Sequence, residues 1–224
     1  MTRIYDCSVD ADLMAGMRLA RVALAKGEVV VIPTDTVYGV AADAFTPAAV
    51  DRLLAAKGRG RTSPPPVLIP NVATMDALAH TVPDKVRELA QKFWPGGLTI
   101  ILDAQPSLAW DLGETDGTVA LRVPNHPVTL ELLNETGPLA VSSANLTGQP
   151  AATSAEEALL QLGARVSLYL DGGPSASTAS TIIDATGLAR GTGGVRVLRD
   201  GAVTIAQLRE VLGDDLEPAT EQVS

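Results

Sequence analysis

The stretch Gly27–Ala44, GEVVVIPTDTVYGVAADA, decides how the rest of the chain reads. Val29, Val30, Val31 and Ile32 form a short run of β-branched residues, the pattern of a strand buried on both faces. Pro33 has no N–H to donate and stops the ladder. Thr34, Asp35 and Thr36 follow at once. They place two hydroxyls and a carboxylate at the end of a core strand, where open α/β sheets place ligands. The competing reading is an ordinary strand–turn–strand in which Thr34 or Asp35 closes an ST- or Asx-turn. A second apolar run, Val37 to Ala42, carries Gly39 in its middle, which predicts a close approach to the backbone there.

Outward from that stretch, short apolar runs alternate with helical patterns. Ala11 to Lys26 carries Leu13, Met14, Met17 and Leu24 at helical spacing, with Gly27 as a stop. Pro47 to Ala56 reads as a helix with Thr46 as N-cap and proline in first position. Further helices are expected over Pro83–Phe93, Val128–Glu135, from Thr153 or Ser154 to Leu162, and over Ile205–Leu212. Strands are expected at Val67–Ile69, Leu98–Leu102, Val119–Val123, Leu139–Val141, Leu168–Leu170, Thr181–Ile183 and Val195–Leu198. Alternation of this kind predicts an α/β fold with a largely buried mixed sheet, one domain over residues 1–212, and a polar tail over 213–224.

The chain has 224 residues, 46% of them hydrophobic and only 3% aromatic, so its core must be built from Ala, Val, Leu and Ile. Its 17 Lys plus Arg against 26 Asp plus Glu give a formal charge of −9. Such a chain is a poor non-specific binder of nucleic acid, and any anionic ligand must meet a local basic cluster. One cysteine, Cys7, and two histidines, His80 and His126, cannot assemble a zinc-type cluster. The lone cysteine fits a reducing compartment. No apolar stretch is long enough to span a membrane, and the start MTRIYDCSVDADL lacks the apolar core of a signal peptide, so a cytoplasmic protein is expected.

Lys57, Arg59 and Arg61 put three cations into five glycine-spaced residues, followed by Thr62, Ser63 and Pro64–Pro66. Glycine lets a backbone wrap a ligand, and arginine offers a planar fork that matches phosphate oxygens. Read as a loop without apolar period, the segment is expected to contribute little to the core; the alternative is a solvated charge run. Ser142, Ser143 and Asn145 after an apolar run suit a polar substrate, or a capped turn. The segment DGGPSASTAS (171–180) is a second hydroxyl-rich loop. There is no GxxxxGK[ST], no GxGxxG after a strand and no GxSxG elbow with a spare histidine.

Four blocks in order carry a resemblance: IPTDTVYG (32–39), KGR (57–59), VALRVPNHP (119–127) and SSANLTG (142–148), followed by STIID (180–184) and VLRDGAV (197–203). The chain resembles the threonylcarbamoyl-AMP synthase, or YrdC-like, family in a short single-domain form. The resemblance implies a twisted mixed sheet with flanking helices around a deep concave cavity. It implies a nucleotidyltransferase that makes threonylcarbamoyl-AMP and pyrophosphate from L-threonine, bicarbonate and ATP, with Mg²⁺ carried by the ATP. That reaction is the first step towards N6-threonylcarbamoyladenosine in tRNA.

Carried over residue by residue, Lys57 and Arg59 are the implied catalytic cations. Thr36, Arg122, Ser143 and Ser180 are the implied threonine contacts. Lys57, Arg59, Arg61, Ser63, Thr118, Ser142, Asn145, Thr153 and Arg199 are the implied ATP contacts, with no protein metal ligand. The implied partners are proteins that transfer the threonylcarbamoyl group to tRNA downstream, with weak or no direct binding of tRNA. Many relatives read Asn-Pro-Leu after KGR, with a threonine-contacting His soon after; this chain has Ser63-Pro-Pro-Pro there and Leu68 near the His position. Longer relatives carry a second C-terminal domain, for which this chain stops too early. The rival readings are an RNA-binding module and a paralogue that adenylates another acyl group.

Overall fold

The computed structural model describes residues 3–218. The chain opens with β1 (Arg3–Asp6) and α1 (Asp10–Ala25), then β2 (Val30–Ile32), β3 (Gly39–Asp43) and α2 (Pro47–Lys57). Next come β4 (Val67–Leu68), α3 (Val72–Leu78), α4 (Asp84–Phe93), β5 (Leu98–Asp103) and β6 (Thr118–Arg122). α5 (Pro127–Thr136) leads to β7 (Leu139–Ser143), and α6 (Ala155–Leu162) to β8 (Leu168–Asp171). β9 (Thr181–Asp184), α7 (Thr186–Arg190), β10 (Arg196–Arg199) and α8 (Ile205–Leu212) complete the order.

The strands form one mixed sheet in the order β1-β8-β2-β3-β7-β4-β6-β5-β9-β10. Period-two alternation assigns each strand two faces. On one face Val31, Val40, Ala42, Val67, Ile100, Leu102, Leu121 and Ile183 join the larger core. Helices α2, α3, α4, α6 and α8 cover it through residues such as Leu53, Met75, Leu89, Ala158 and Leu208. On the other face Val30, Ile32, Ala41, Leu139, Leu168 and Leu170 pack under Met17, Ala20 and Leu24 of α1 and Leu132 and Leu133 of α5. Those two helices cover only the β1-to-β7 half. Over β4, β6, β5 and β9 this face is open, and Leu68, Thr99, Ile101, Ala120, Arg122 and Ile182 face a cavity instead of a helix.

The helix ends follow local chemistry. Proline stands at the first turn of α2 and of α5, where its missing N–H costs nothing. Ser154 caps α6, accepting from Glu157 N at 3.2 Å. Thr204 and Gln207 form a capping box on α8. Thr46 occupies the cap position of α2, but its hydroxyl donates to Asp43 Oδ2 at 2.8 Å instead of capping the helix. Gly39 is required by packing: a Cβ there would stand 2.5 Å from Val141 Cγ1.

Three elements escape the sequence reading: β1, α3 and α7. β1 is a short edge strand, and α3 is a two-turn helix anchored by Met75 and Leu78 alone, too few apolar residues to show a period. α2 runs one residue beyond the expected end and takes in Lys57. Within the expected tail, residues 213–217 are tied to the fold. Leu216 is buried, Val195 N donates to Asp215 O (2.7 Å), and Glu217 N donates to Val195 O (2.9 Å). One leucine beside an open stretch of backbone suffices to fold the tail back. The rest of the expected tail, 219–224, lies outside the described residues.

Candidate active site

The open half of the sheet forms the floor of a cavity of about 440 Å³, within the usual range for small-molecule sites. Its walls come from the turn after β2, the loop after α2, the loop before β6, the turn after β7 and the segment entering β9. Arg59, Arg122 and Arg199 reach into it, and no Asp or Glu is among its lining residues. A chain of net charge −9 thus concentrates positive charge in one concavity, which focuses the field on an anion there.

The turn Thr34–Thr36 satisfies both readings of its sequence. Thr34 Oγ1 donates to Val37 O (2.6 Å) and accepts from Thr36 N (3.1 Å), an ST-turn. Thr34 and Thr36 nevertheless both line the cavity. Arg122, 6% exposed, is fixed by three bonds: Nε to Gly96 O (2.9 Å), Nη1 to Thr36 Oγ1 (2.8 Å) and Nη2 to Asp35 Oδ1 (2.6 Å). The Trp94-Pro-Gly-Gly turn supplies that carbonyl. Gly97 must be small, because a Cβ on it would lie 2.6 Å from Ala202 and 3.4 Å from Thr36. A guanidinium has five N–H groups, so one remains on each terminal nitrogen of Arg122.

The same unit recurs across the cavity: an arginine donating to a hydroxyl. Arg199 Nη2 donates to Ser180 Oγ (2.9 Å) and to Ser180 O (2.8 Å), and Ser180 Oγ lies 2.9 Å from Thr99 Oγ1. Arg59 Nη1 donates to Ser142 Oγ at 3.2 Å. A hydroxyl that accepts from a cation keeps its own proton for an acceptor. Ser142 therefore offers a donor to whatever fills the cavity, and so does Ser180 when Thr99 is the donor across their contact. Thr36 is different, because Thr34 Oγ1 already donates to Val37 O and leaves Thr36 to donate to Thr34 across 3.1 Å. With the three guanidiniums, the lining suits oxyanions.

Burial pushes the Arg122 guanidinium below its ordinary pKa, Asp35 opposes that, and Arg199 adds to it. Burial also lowers Arg199, and Arg59 lowers it further. Like charges are thus held together with little internal compensation. Among the described residues, neither Arg59 nor Arg199 pairs with a carboxylate.

Thr36, Arg59, Thr118, Arg122, Ser142, Ser143, Asn145, Ser180 and Arg199 all line this one cavity. Four expected residues do not. Lys57 is the last residue of α2, 2% exposed, and stands behind the lining. Its Nζ donates to Ser143 O, to Asn145 O (2.8 Å) and to Asn145 Oδ1 (3.2 Å). It is a buried strut under the Ser143–Asn145 turn, and the expectation that it contributes little to the core is wrong. Burial, with Arg59 adding, pushes its ammonium down to about 8.

Arg61 points away from the cavity to Asp51 (2.6 Å) and Asp111, tying α2 to the loop before β6. Two carboxylates outcompete a distant anion for it. Ser63 sits in the turn closed by its N–H on Gly60 O (3.3 Å), and Pro64 to Pro66 face the cavity in its place. Thr153 is held by Glu157, whose Oε2 accepts from its N (2.7 Å) and its hydroxyl (3.0 Å) at the start of α6. Because exposed ion pairs are worth about 0–1 kcal/mol, Arg61→Ala is expected to keep kcat/KM within about threefold and to melt within about 4 °C of wild type. Steady-state kinetics beside a thermal melt check this.

Sequence reasoning missed Thr99, Leu112 and Gln149 as lining residues. For Thr99 a signal existed: in Leu98–Asp103 strict alternation sets Thr99 and Ile101 on one face and Leu98, Ile100 and Leu102 on the other. Leu112 and Gln149 sit in loops whose paths have no local signature.

The family model of Sua5/YciO/YrdC proteins, described as telomere recombination, matches residues 22–201. The chain belongs to the Sua5/YciO/YrdC family. Among the relatives of this Sua5/YciO/YrdC chain is a Mycobacterium tuberculosis (strain ATCC 25618 / H37Rv) protein that carries the provisional name threonylcarbamoyl-AMP synthase. The two are 50% identical over 216 residues, 96% of this chain and 97% of the relative. The threonylcarbamoyl-AMP synthase of Bacillus subtilis (strain 168) is 38% identical over 197 residues, 87% of this chain and 56% of that protein. The crystal structure of P. abyssi Sua5 complexed with L-threonine superposes with a TM-score of 0.85 at 30% identity, over 97% of this chain and 63% of that one. The two chains share one fold over that length.

Proposed function

We propose that this chain is an L-threonylcarbamoyladenylate synthase, a nucleotidyltransferase acting on ATP, L-threonine and bicarbonate in the first step of threonylcarbamoyladenosine formation in tRNA. The observation that carries this is the convergence of Arg59, Arg122 and Arg199 on a cavity lined by hydroxyls and by no carboxylate. Its relatives' names point to the same reaction, and the P. abyssi complex holds L-threonine on the same fold.

In the reaction the threonine amine adds to the carbon of CO₂ with loss of a proton from nitrogen, or to that of bicarbonate with loss of water, giving a carbamate. A carbamate oxygen then attacks the α-phosphorus of ATP, the bond to the bridging oxygen breaks, and pyrophosphate leaves. Such a step needs positioning and charge stabilisation more than covalent help. Arg122 offers the substrate carboxylate its two remaining N–H groups. Thr36 holds the guanidinium in place by accepting from Nη1, Ser180 turns its proton towards the substrate, and Ser143 and Asn145 form the wall that Lys57 holds. Arg59 and Arg199, lacking carboxylate partners, hold phosphate oxygens with help from Ser142, while Thr118 lines the same cavity with its hydroxyl on Thr115 O at 2.7 Å.

Mg²⁺ fits this arrangement as a passenger on the nucleotide. The lining offers hydroxyls and carbonyls but no carboxylate, and no group of three or more His, Cys, Asp or Glu that could hold a metal is found among the described residues. When bound it screens triphosphate charge. No helix of the described residues is long and apolar enough to cross a membrane, which suits a tRNA-modification enzyme of the cytoplasm. The net charge of −9 suits a protein that passes its product on to tRNA-modifying partners more than one that holds tRNA itself.

Pyrophosphate release from ATP is expected to require L-threonine, bicarbonate and Mg²⁺ together. Equal release without threonine would remove the synthase reading.

A further inference from the structure

Among the described residues, Asp35 is the only acidic side chain paired with an arginine of the cavity. Its Oδ1 accepts from Arg122 Nη2 at 2.6 Å and from Asn125 N at 2.8 Å. The pair is closed off, with side chains 7% and 18% exposed. Asp35 itself does not line the cavity, although its chain neighbours Thr34 and Thr36 do. Its carboxylate therefore stands behind the guanidinium, while the cavity sees the front. A carboxylate laid on the two remaining N–H groups of Arg122 lies close to the range of about 4–6 Å over which one charge strongly biases another.

We propose that Asp35 is a specificity-determining residue: it makes the Arg122 subsite prefer a zwitterionic amino acid to a plain anion of the same shape. This rests on the synthase reading above. Three guanidiniums in one concavity would by themselves attract any small anion, including hydroxy acids and inorganic phosphate. A negative charge behind Arg122 weakens the hold on every carboxylate. For an amino acid the α-ammonium recovers that loss, because the same negative charge attracts it. A 2-hydroxy acid has no ammonium and bears the whole penalty. Discrimination thus comes from a repulsive element placed against the wrong ligand as well as an attractive one for the right ligand. The Asn125 contact fixes where that charge sits, so Asp35 acts from one position.

The test compares two probes, L-threonine and 2,3-dihydroxybutanoate, by calorimetric titration of wild type and Asp35→Asn. Asparagine keeps an oxygen for Arg122 Nη2 and Asn125 N and removes the charge. The hydroxy acid is expected to bind Asp35→Asn about tenfold more tightly than wild type, while threonine changes by less than about threefold. An unchanged ratio, or a hydroxy acid that binds the variant no more tightly, overturns the proposal. Wild type that fails to bind threonine at all overturns the synthase reading instead. Should Asp35→Asn not fold, Asp35→Glu decides: it keeps the charge and must keep the preference within about threefold, and a folded Asp35→Glu that loses the preference overturns the role.

Discussion

Arg59→Ala is expected to fold with a melting temperature within a few degrees of wild type and to lose about 10²–10³ in ATP-dependent rate. The two effects separate because Arg59 does so little for the fold. Its one side-chain bond is to Ser142 Oγ at 3.2 Å, and it has no carboxylate partner among the described residues. What it supplies is a donor held in a cavity of one sign, and its charge already disturbs its neighbours, pushing Lys57 and Arg199 down. Removing it relieves repulsion in the empty site and withdraws stabilisation from a developing pyrophosphate. Thermal melts beside steady-state kinetics read both quantities. A folded Arg59→Ala with near-normal kinetics would place the phosphate site elsewhere.

Lys57→Ala is expected to do the opposite and damage stability first. Asn145 O and Asn145 Oδ1 lose their buried donor, while Ser143 O keeps the N–H of Asn145 at 2.9 Å, and an unsatisfied buried acceptor costs about 1–3 kcal/mol. A total of roughly 3 kcal/mol corresponds to about 6–12 °C in a chain of this size. Activity falls with it, because Ser143 and Asn145 lose their support. Lys57→Met, which keeps the stem and drops the charge, separates packing from hydrogen bonding.

The pH dependence has a definite sign. Folded Lys57 releases its proton near pH 8, whereas the unfolded chain holds it to about 10.5. Between those values the unfolded state binds more protons, so this group's contribution to stability rises with pH. Denaturant melts are therefore expected to show wild type gaining on Lys57→Met from pH 7.5 to pH 10. A stability difference that is flat with pH means that Lys57 is not displaced from its ordinary value.

The sheet was legible where its residues are apolar and β-branched: β2, β5, β6, β7, β8 and β9 stand within two residues of where the sequence puts them. The cavity was legible in its lining more than in its supports. Thr36, Arg122, Ser143 and Ser180 could be named from ordered blocks, and all line one cavity. Lys57 and Arg61 could not be told from Arg59, because the three share one five-residue tract. They diverge only in space: one ends a helix, one faces the cavity, and one meets Asp51 and Asp111. Apart from Asp51, 10 positions from Arg61, their partners lie 50 to 88 positions away in sequence and leave no local trace. Composition required a local basic cluster for any anion in a chain of net charge −9, and the cavity supplies it, but composition could not say which arginines meet there.

A ribosome delivers the walls of this cavity in an order unlike their order in space. Strand β5 pairs with β9, Leu98 opposite Thr181, and at 5–20 residues per second the second partner arrives roughly 4–17 s after the first. Until then β5 has an unpaired edge, and Thr99 and Ala120 form a floor without its far wall. Ser180 and Arg199 close that wall among the last strands made. A nascent chain cannot retain a ligand early and fold around it. Capture waits until Arg199 has emerged, and a molecule held in the cavity then staples the turn after β2 to β10, a strand synthesised more than 160 residues later.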